Sequence, residues 1–310
     1  MLRNLSRLTF IFATLLSFGF FSLFSPRFAH AQVIGTHLGQ GDITAQVEIM
    51  DFLSQKVKSP EKFPVTLMIE VTNSRDQIKK LADKVKAVGF IPIVRINLVC
   101  APAGISNGKA TVEAVRDEFG DGVAIVWGNE INNETECKDL DVFATGFQNV
   151  RNLLAGRSGG IGPAALDFYH PNRAVDLLKL TDPNIQQNYT GAQVYFSNSY
   201  GCQGQTKDSC DPAATETHKQ GYEELLKLGS NFYMTEFSLS PANRDDNAPD
   251  SDLKKVVEFI ETGPAETGAI AVTPLIRNVC NEDGDWLLFI TGDQAKNSSG
   301  EAEVYTFTKS

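Results

Sequence analysis

The feature that most limits how this 310-residue chain can fold is a regular alternation of short apolar runs with amphipathic segments. The apolar runs predict eight β-strands, at residues 33–37, 65–71, 90–97, 123–127, 160–164, 192–196, 231–235 and 270–275. The segments that follow them predict helices at residues 44–54, 76–87, 112–119, 140–154, 174–180, 215–228 and 252–261. Strands that alternate with helices in this way form parallel βαβ units.

Eight such units in a chain of this length predict an α/β fold of the closed (β/α)8, or TIM-barrel, type. An open doubly wound sheet is the alternative. It is disfavoured because no glycine-rich dinucleotide fingerprint or phosphate loop follows the first predicted strand. Residues 286–291 and 304–308 are strand-like runs beyond the eighth strand, so we expect a C-terminal β-hairpin in place of, or beside, a final helix.

The first residues have the composition of an export signal. Arg3 and Arg7 precede an apolar stretch at residues 8–24, and Ala29-His30-Ala31 follows with the small-x-small pattern of a signal peptidase site. We therefore predict a signal peptide over residues 1–31 and a single (β/α)8-barrel domain over residues 32–310, secreted or periplasmic. The alternative is an uncleaved membrane anchor, for which the apolar stretch is slightly short.

The charge of the chain narrows the class of partner. Residues 1–31 carry three basic side chains and no acidic ones, so their removal lowers the formal charge from −10 to −13. Such an acidic protein is poorly suited to bind nucleic acid or an anionic membrane. The charge instead suits a protein that acts, as a monomer, on neutral or cationic material.

All five cysteines follow the predicted signal peptide, and an exported protein meets oxidising conditions. Cys202 and Cys210 lie in one polar loop and form a local candidate pair. Cys100 and Cys137 each follow a predicted strand, and neighbouring strand ends could bring them together, which leaves Cys280 without a partner. No Cys-x-x-Cys pair is present, so we expect no zinc site.

Two glutamates end predicted buried strands, Glu130 after the fourth strand and Glu236 after the seventh. A carboxylate at such a position is costly if it is buried without a partner. It is well placed for chemistry in a (β/α)8 barrel, where active sites lie at the carboxyl ends of the strands. Two carboxylates that face one cleft are the minimum that hydrolysis of a glycosidic bond requires.

The pairs Asn129-Glu130 and Thr235-Glu236, at strands four and seven, resemble those of the clan A glycoside hydrolases, a superfamily of retaining (β/α)8-barrel glycosidases. The resemblance in the order of elements covers nearly all of residues 32–310. It implies that Glu130 is the acid/base, that Glu236 is the nucleophile, and that Asn129 binds the sugar 2-hydroxyl. It also implies a β-linked oligo- or polysaccharide as the substrate, and no cofactor.

Further side chains are candidates for the substrate site. Arg95 and Tyr195 could donate hydrogen bonds that keep Glu236 ionised, and His37 could line the cleft. Aromatic faces pack on the apolar faces of sugars. The candidate stacking platforms are Trp127, Tyr200 and Trp286.

Each of these residues also has a purely structural interpretation. Arg95 could form an ion pair inside the barrel, Tyr195 could be part of its wall, and His37 could be a buried structural histidine. The aromatic residues could pack in the core, and the two glutamates could be loop acids, one capping a helix and the other in a salt bridge.

The sequence also leaves the class of function open. A barrel that binds carbohydrate without cleaving it is the alternative to a glycosidase, because fold does not imply function. A different hydrolase is less favoured, since neither a Gly-x-Ser-x-Gly elbow nor a His-Glu-x-x-His motif is present.

Overall fold

The computed structural model of this chain describes residues 33–39, 42–133, 137–154, 160–167, 171–181, 195–201, 232–239, 271–272, 286–290, 292, 294–297 and 303–307. Backbone contacts divide the chain into two units, Met1–His30 and Ala31–Ser310. The first unit lies outside the described residues, so the signal peptide over residues 1–31 stays a prediction. Among the described helices, none has the length and apolar character needed to cross a membrane.

Nine strands form one sheet in which every neighbouring pair is parallel. They are β1 (Val33–Ile34), β2 (Thr36–His37), β3 (Pro64–Glu70), β4 (Ile91–Asn97), β5 (Ala124–Asn129), β6 (Ile161–Asp167), β7 (Tyr195–Gly201), β8 (Phe232–Leu239) and β9 (Ala271–Val272). The order runs β1-β9-β8-β7-β6-β5-β4-β3-β2. Because β1 and β2 are two pieces of one segment, the sheet closes on itself as an eight-stranded barrel. The predicted (β/α)8 fold is therefore confirmed, and the open sheet is excluded.

The described helices lie between these strands. They are α1 (Ile43–Lys56), α2 (Arg75–Val88), α3 (Pro102–Phe119), α4 (Leu140–Leu153) and α5 (Pro171–Thr181), with a short 3-10 helix at Pro60–Lys62. α2 begins with a reciprocal capping box between Ser74 and Gln77 and ends at Gly89 in the left-handed conformation. The helices predicted at residues 215–228 and 252–261 lie outside the described residues.

α3 starts ten residues before its predicted position. Pro102 stands in its first turn, where proline costs little because no intrahelical hydrogen bond is lost. The glycines and small polar residues of its first half conceal the helical pattern in the sequence. Gly108 has a packing role, because a Cβ added to it would lie 3.0 Å from Trp127 Nε1. The glycine lets α3 approach the sheet closely.

The barrel closes at an interrupted first strand. A Cβ on Gly35 would lie 1.7 Å from the carbonyl oxygen of Pro64, so only glycine permits the backbones to approach this closely. β2 is short, and Gln46 of α1 takes over the pairing of the next strand. Its side chain accepts a hydrogen bond from Met68 N–H at 3.0 Å and donates one to Met68 O at 2.7 Å.

The two faces of the sheet differ in composition. Alternate residues such as Val65, Val94 and Ile125 pack outward in the large core shared with the helices. The inward positions form a small apolar layer of Ile93, Val126 and Ala165. The inward positions further along β3 and β4 are occupied by more polar side chains. The barrel therefore becomes polar toward the carboxyl ends of its strands, where (β/α)8 enzymes have their active sites.

The predicted C-terminal hairpin is present as β10 (Trp286–Ile290) and β11 (Glu303–Phe307), paired antiparallel. It packs on α1, where the ring of Phe52 meets those of Tyr305 and Phe307 at centroid distances of 6.2 and 5.6 Å. A bridge between Val57 and Ala295 extends this contact. The hairpin therefore completes the outer layer beside the first helix.

Candidate active site

Glu130 directly follows β5, the fourth barrel strand, and has a left-handed backbone with φ of 45°. Its N–H donates to Ala165 O at 2.8 Å, and its carbonyl accepts from Asn133 N–H at 2.8 Å. A left-handed conformation costs a non-glycine residue roughly 1–2 kcal/mol. Backbone strain of this kind concentrates at functional sites, because it is kept only where the surrounding structure holds it in place.

A kink shared by two strands precedes this glutamate. Trp127 pairs with Pro163 and Asn129 pairs with Ala165, so Gly128 and Ala164 face each other between these pairs. Both have positive φ, 103° and 72°. A Cβ on Gly128 would also lie 2.8 Å from Ile131 Cγ1. β5 and β6 therefore leave regular geometry together, two residues before the candidate acid/base Glu130.

The loop after Glu130 is fastened at several points. Cys100 and Cys137 form a disulfide with an S–S distance of 1.95 Å and a Cα–Cα distance of 5.1 Å, as the sequence predicted. Arg173 of α5 donates from Nε to Asn132 O at 2.9 Å and from Nη2 to Cys137 O at 2.7 Å. The loop thus contacts both the preceding and the following βα unit. Cys202, Cys210 and Cys280 lie outside the described residues.

Glu236 lies within β8, the seventh barrel strand, which runs on to Leu239 rather than ending before it. Ser197 pairs with Met234 and Asn198 with Glu236, so Thr235 is an extra residue that forms a bulge in β8. Bulges redirect the side chains around them and are over-represented next to active sites. The backbone of Glu236 is described, whereas its side chain is not.

The expected position of Tyr195 at the end of a strand is wrong, because Tyr195 is the first residue of β7. Asn198, the partner of Glu236, comes three residues later on β7, which at about 3.3 Å per residue is roughly 10 Å along the strand. The predicted strand ends too early because the second half of β7 is polar. Hydrogen bonding to β8, and not apolar character, makes that half a strand. Tyr200 pairs with Ser238 near the carboxyl end of β7.

Arg95 and His37 both lie buried in the barrel. Arg95 Nε contacts Met68 Sδ at 2.8 Å. His37 Nδ1 accepts a hydrogen bond from Gly39 N–H at 3.0 Å, so the ring proton is on Nε2, for which no hydrogen-bond partner exists in the structure as described. Burial, and then the positive charge of Arg95, hold the pKa of His37 well below 6.5. His37 is therefore a neutral donor at neutral pH.

Trp127 is not a platform for sugars. It is fully buried on the outer face of β5, with its ring centroid 5.0 Å from that of Phe143 and 6.1 Å from that of Phe147. Strand alternation gives the physical reason, since Trp127 shares the face of Ile125, which packs under the helices. Trp286 begins β10 in the hairpin, and its side chain is not among those described.

The structure also adds a polar pair that the sequence analysis overlooked. Glu70 ends β3 and Asn97 ends β4, and Asn97 Nδ2 donates to Glu70 Oε1 at 3.1 Å. The signal was available, because Glu70 closes a buried apolar strand in the same way as Glu130. Among the described residues, no three or more His, Cys, Asp or Glu side chains are grouped so that they could hold a metal ion.

The sequence matches no protein-family model and shows no significant match to a curated protein. Solved structures with a similar fold include a broad specificity endoglucanase from Ruminococcus champanellensis with bound cellotriose, at TM-score 0.51 and 10% identity, covering 81% of this chain and 88% of that one. A 4-O-α-L-rhamnosyl-β-D-glucuronidase from Fusarium oxysporum 12S aligns at TM-score 0.46 and 11% identity, over 78% and 62% of the two chains. A D-psicose 3-epimerase from Clostridium cellulolyticum H10 aligns at TM-score 0.44 and 10% identity, over 79% and 86%. The similarity to the endoglucanase supports the barrel fold.

Proposed function

We propose that this protein is a retaining glycoside hydrolase of the clan A type that cleaves β-linked O-glycosidic bonds in an oligo- or polysaccharide. The observation that carries the proposal is the placement of Glu130 and Glu236 on the fourth and seventh strands of one closed parallel barrel. The carboxyl ends of parallel strands meet at one edge, which is where (β/α)8 enzymes bind substrate. Each glutamate lies at a local departure from regular strand geometry.

In this mechanism Glu236 is the nucleophile. Its carboxylate attacks the anomeric carbon while Glu130 gives its proton to the departing glycosidic oxygen, which leaves a covalent glycosyl-enzyme. Glu130 then takes a proton from water as the water oxygen attacks the same carbon and releases Glu236. This double displacement retains configuration and requires the two carboxyl groups to be about 5–5.5 Å apart.

Other residues support these roles in the proposal. Asn129 binds the sugar 2-hydroxyl, and the buried cation of Arg95 favours the ionised form of a carboxylate in the barrel. The Nε2–H of His37 is available to an acceptor on the substrate or on a bound water. Tyr200, near the carboxyl end of β7, and Trp286 are the remaining candidate platforms. Tyr195 is a weaker donor candidate because it begins its strand.

The proposal includes export after cleavage of residues 1–31, and action as a monomer without a cofactor. The disulfide between Cys100 and Cys137 fits this location, since such bonds persist in oxidising compartments. The acidic charge fits a neutral rather than a polyanionic glycan.

The test is hydrolysis of a panel of β-linked oligosaccharides by the purified protein, with Glu130→Gln and Glu236→Gln as matched variants. We expect at least one substrate to be cleaved, both variants to be inactive on it, and the first product seen by proton NMR to keep the β configuration. Binding without cleavage would instead favour a carbohydrate-binding barrel. An α product formed first would exclude the retaining mechanism.

A further inference from the structure

Arg173 links α5 to the loop that carries Glu130. It is the third residue of the helix, and its guanidinium donates to two backbone carbonyls, those of Asn132 and Cys137, at 2.9 and 2.7 Å. Asn132 is only two residues beyond Glu130. We propose that Arg173 is a positioning residue that holds the acid/base Glu130 in its catalytic orientation, an inference that rests on the proposed function.

Asn132 and Cys137 lie between β5 and α4, outside the described strands and helices, and Arg173 donates to the backbone carbonyl of each. Asn132 and Cys137 are both buried, so water is poorly placed to replace Arg173. A buried carbonyl that loses a hydrogen-bond donor is destabilised, which favours a shift of the backbone at Asn132 and Cys137. Loss of Arg173 therefore removes two hydrogen bonds and also displaces the backbone that accepts them.

An arginine is required by the geometry of the contact. One planar group bridges two acceptors that are five residues apart in the chain, using Nε and Nη2 in a fixed fork. Lysine has a single flexible ammonium and cannot reproduce this arrangement. The contact also helps to keep the strained, left-handed backbone of Glu130 in place. That backbone would relax if the residues after it were released.

The consequence for catalysis is specific to proton donation. A displacement of about 1 Å in a reacting group can reduce a rate by about 10²-fold. General acid catalysis matters most when the leaving group is a poor one, since an activated phenolate leaves without a proton. A misplaced Glu130 thus slows cleavage of unactivated glycosides and spares activated ones. A defect in folding or in sugar binding lowers both equally.

The wild type is first tested on phenyl and 2,4-dinitrophenyl β-glycosides of glucose, xylose, mannose, galactose and cellobiose, to find the sugar that it cleaves fastest. Arg173→Met and Arg173→Lys are then compared with the wild type on the two glycosides of that sugar. Glu130→Gln is the reference for complete loss of the acid. Arg151→Met is the matched control, because Arg151 donates to a backbone carbonyl at the opposite end of α5, that of Thr181, at 3.4 Å.

We expect both Arg173 variants to lower kcat/KM for the phenyl glycoside by roughly 10- to 100-fold, with less than about a threefold loss for the dinitrophenyl glycoside. Arg151→Met should change both substrates alike. Suppose that Glu130→Gln loses more activity on the phenyl than on the dinitrophenyl glycoside. Equal losses on the two substrates in both Arg173 variants, or no loss in either, would then overturn the positioning role. If Glu130→Gln shows none, or the wild type cleaves no glycoside, the proposed function itself fails.

Discussion

Substituting Gly128 with alanine tests whether the kink before Glu130 is built into the fold. Two costs can be separated at this position. The positive φ of 103° is a conformation that costs an L-residue roughly 1–2 kcal/mol. The new methyl group would lie 2.8 Å from Ile131 Cγ1 and 3.1 Å from Phe143 Cε2, an overlap that costs about 1–3 kcal/mol when the core must shift. The expected loss of unfolding free energy is therefore about 2–5 kcal/mol.

Two other glycines serve as matched controls for Gly128→Ala. Gly89 has a positive φ of 86°, but its nearest contact is Pro60 Cβ at 4.0 Å, so Gly89→Ala has the conformational cost alone. Gly122 has no heavy atom within 4 Å of an added Cβ and no positive φ, so Gly122→Ala should change stability little. The assay is urea denaturation followed by circular dichroism.

The order of the unfolding free energies of the three variants tests whether the kink at Gly128 is built into the fold. We expect Gly122→Ala to be close to the wild type, Gly89→Ala to lose roughly 1–2 kcal/mol, and Gly128→Ala to lose the most. Gly128→Ala should also reduce hydrolysis strongly, because the turn that carries Glu130 begins there. A Gly128→Ala protein as stable as Gly89→Ala, with unchanged hydrolysis, would refute the reasoning.

Two further predictions concern stability. Because Cys100 and Cys137 are 37 residues apart, replacing both with serine should lower the unfolding free energy by about 2–4 kcal/mol in non-reducing denaturation, and a reductant should destabilise the wild type more than the variant. An equal effect of reductant on both proteins would contradict this. The lowered pKa of His37 means that the unfolded state binds its proton near pH 6.5 while the folded state stays neutral. Protonation of His37 therefore does not lower the unfolding free energy above pH 6.5. Below that pH, the unfolding free energy falls with decreasing pH, by up to about 1.4 kcal/mol per pH unit. His37→Asn should remove this part of the slope, and parallel pH curves for the two proteins would contradict the assignment.

The fold could be predicted because its signal is periodic. Apolar runs and helical patterns such as those of α2 and β3 follow from burial on one or two faces, and the structure has them within one or two residues of the predicted limits. The prediction failed where pairing or close approach decides the structure. The polar half of β7 becomes a strand through pairing with its neighbours, and the first half of α3 contains Gly108, which permits close packing on Trp127.

The candidate site was predictable only at the level of strand ends. The alternation of faces along β5 indicates that Trp127 packs outward, beside Ile125. The aromatic ring of Trp127 suggested a sugar-stacking role that this alternation contradicts. The support of the site could not be read from sequence. The contact of Arg173 with the loop after Glu130 joins residues about forty positions apart, and no local pattern in the chain marks that contact.

The most direct test of the central claim is chemical rescue of Glu236→Ala. The account predicts that this variant has lost hydrolysis of an activated β-glycoside, and that added azide restores turnover with a glycosyl azide of inverted, α configuration as the product. Azide occupies the space left by the nucleophile and attacks in its place, which explains the inversion. Full activity of Glu236→Ala without azide, or a β-configured azide product, would contradict the assignment of Glu236 as the nucleophile.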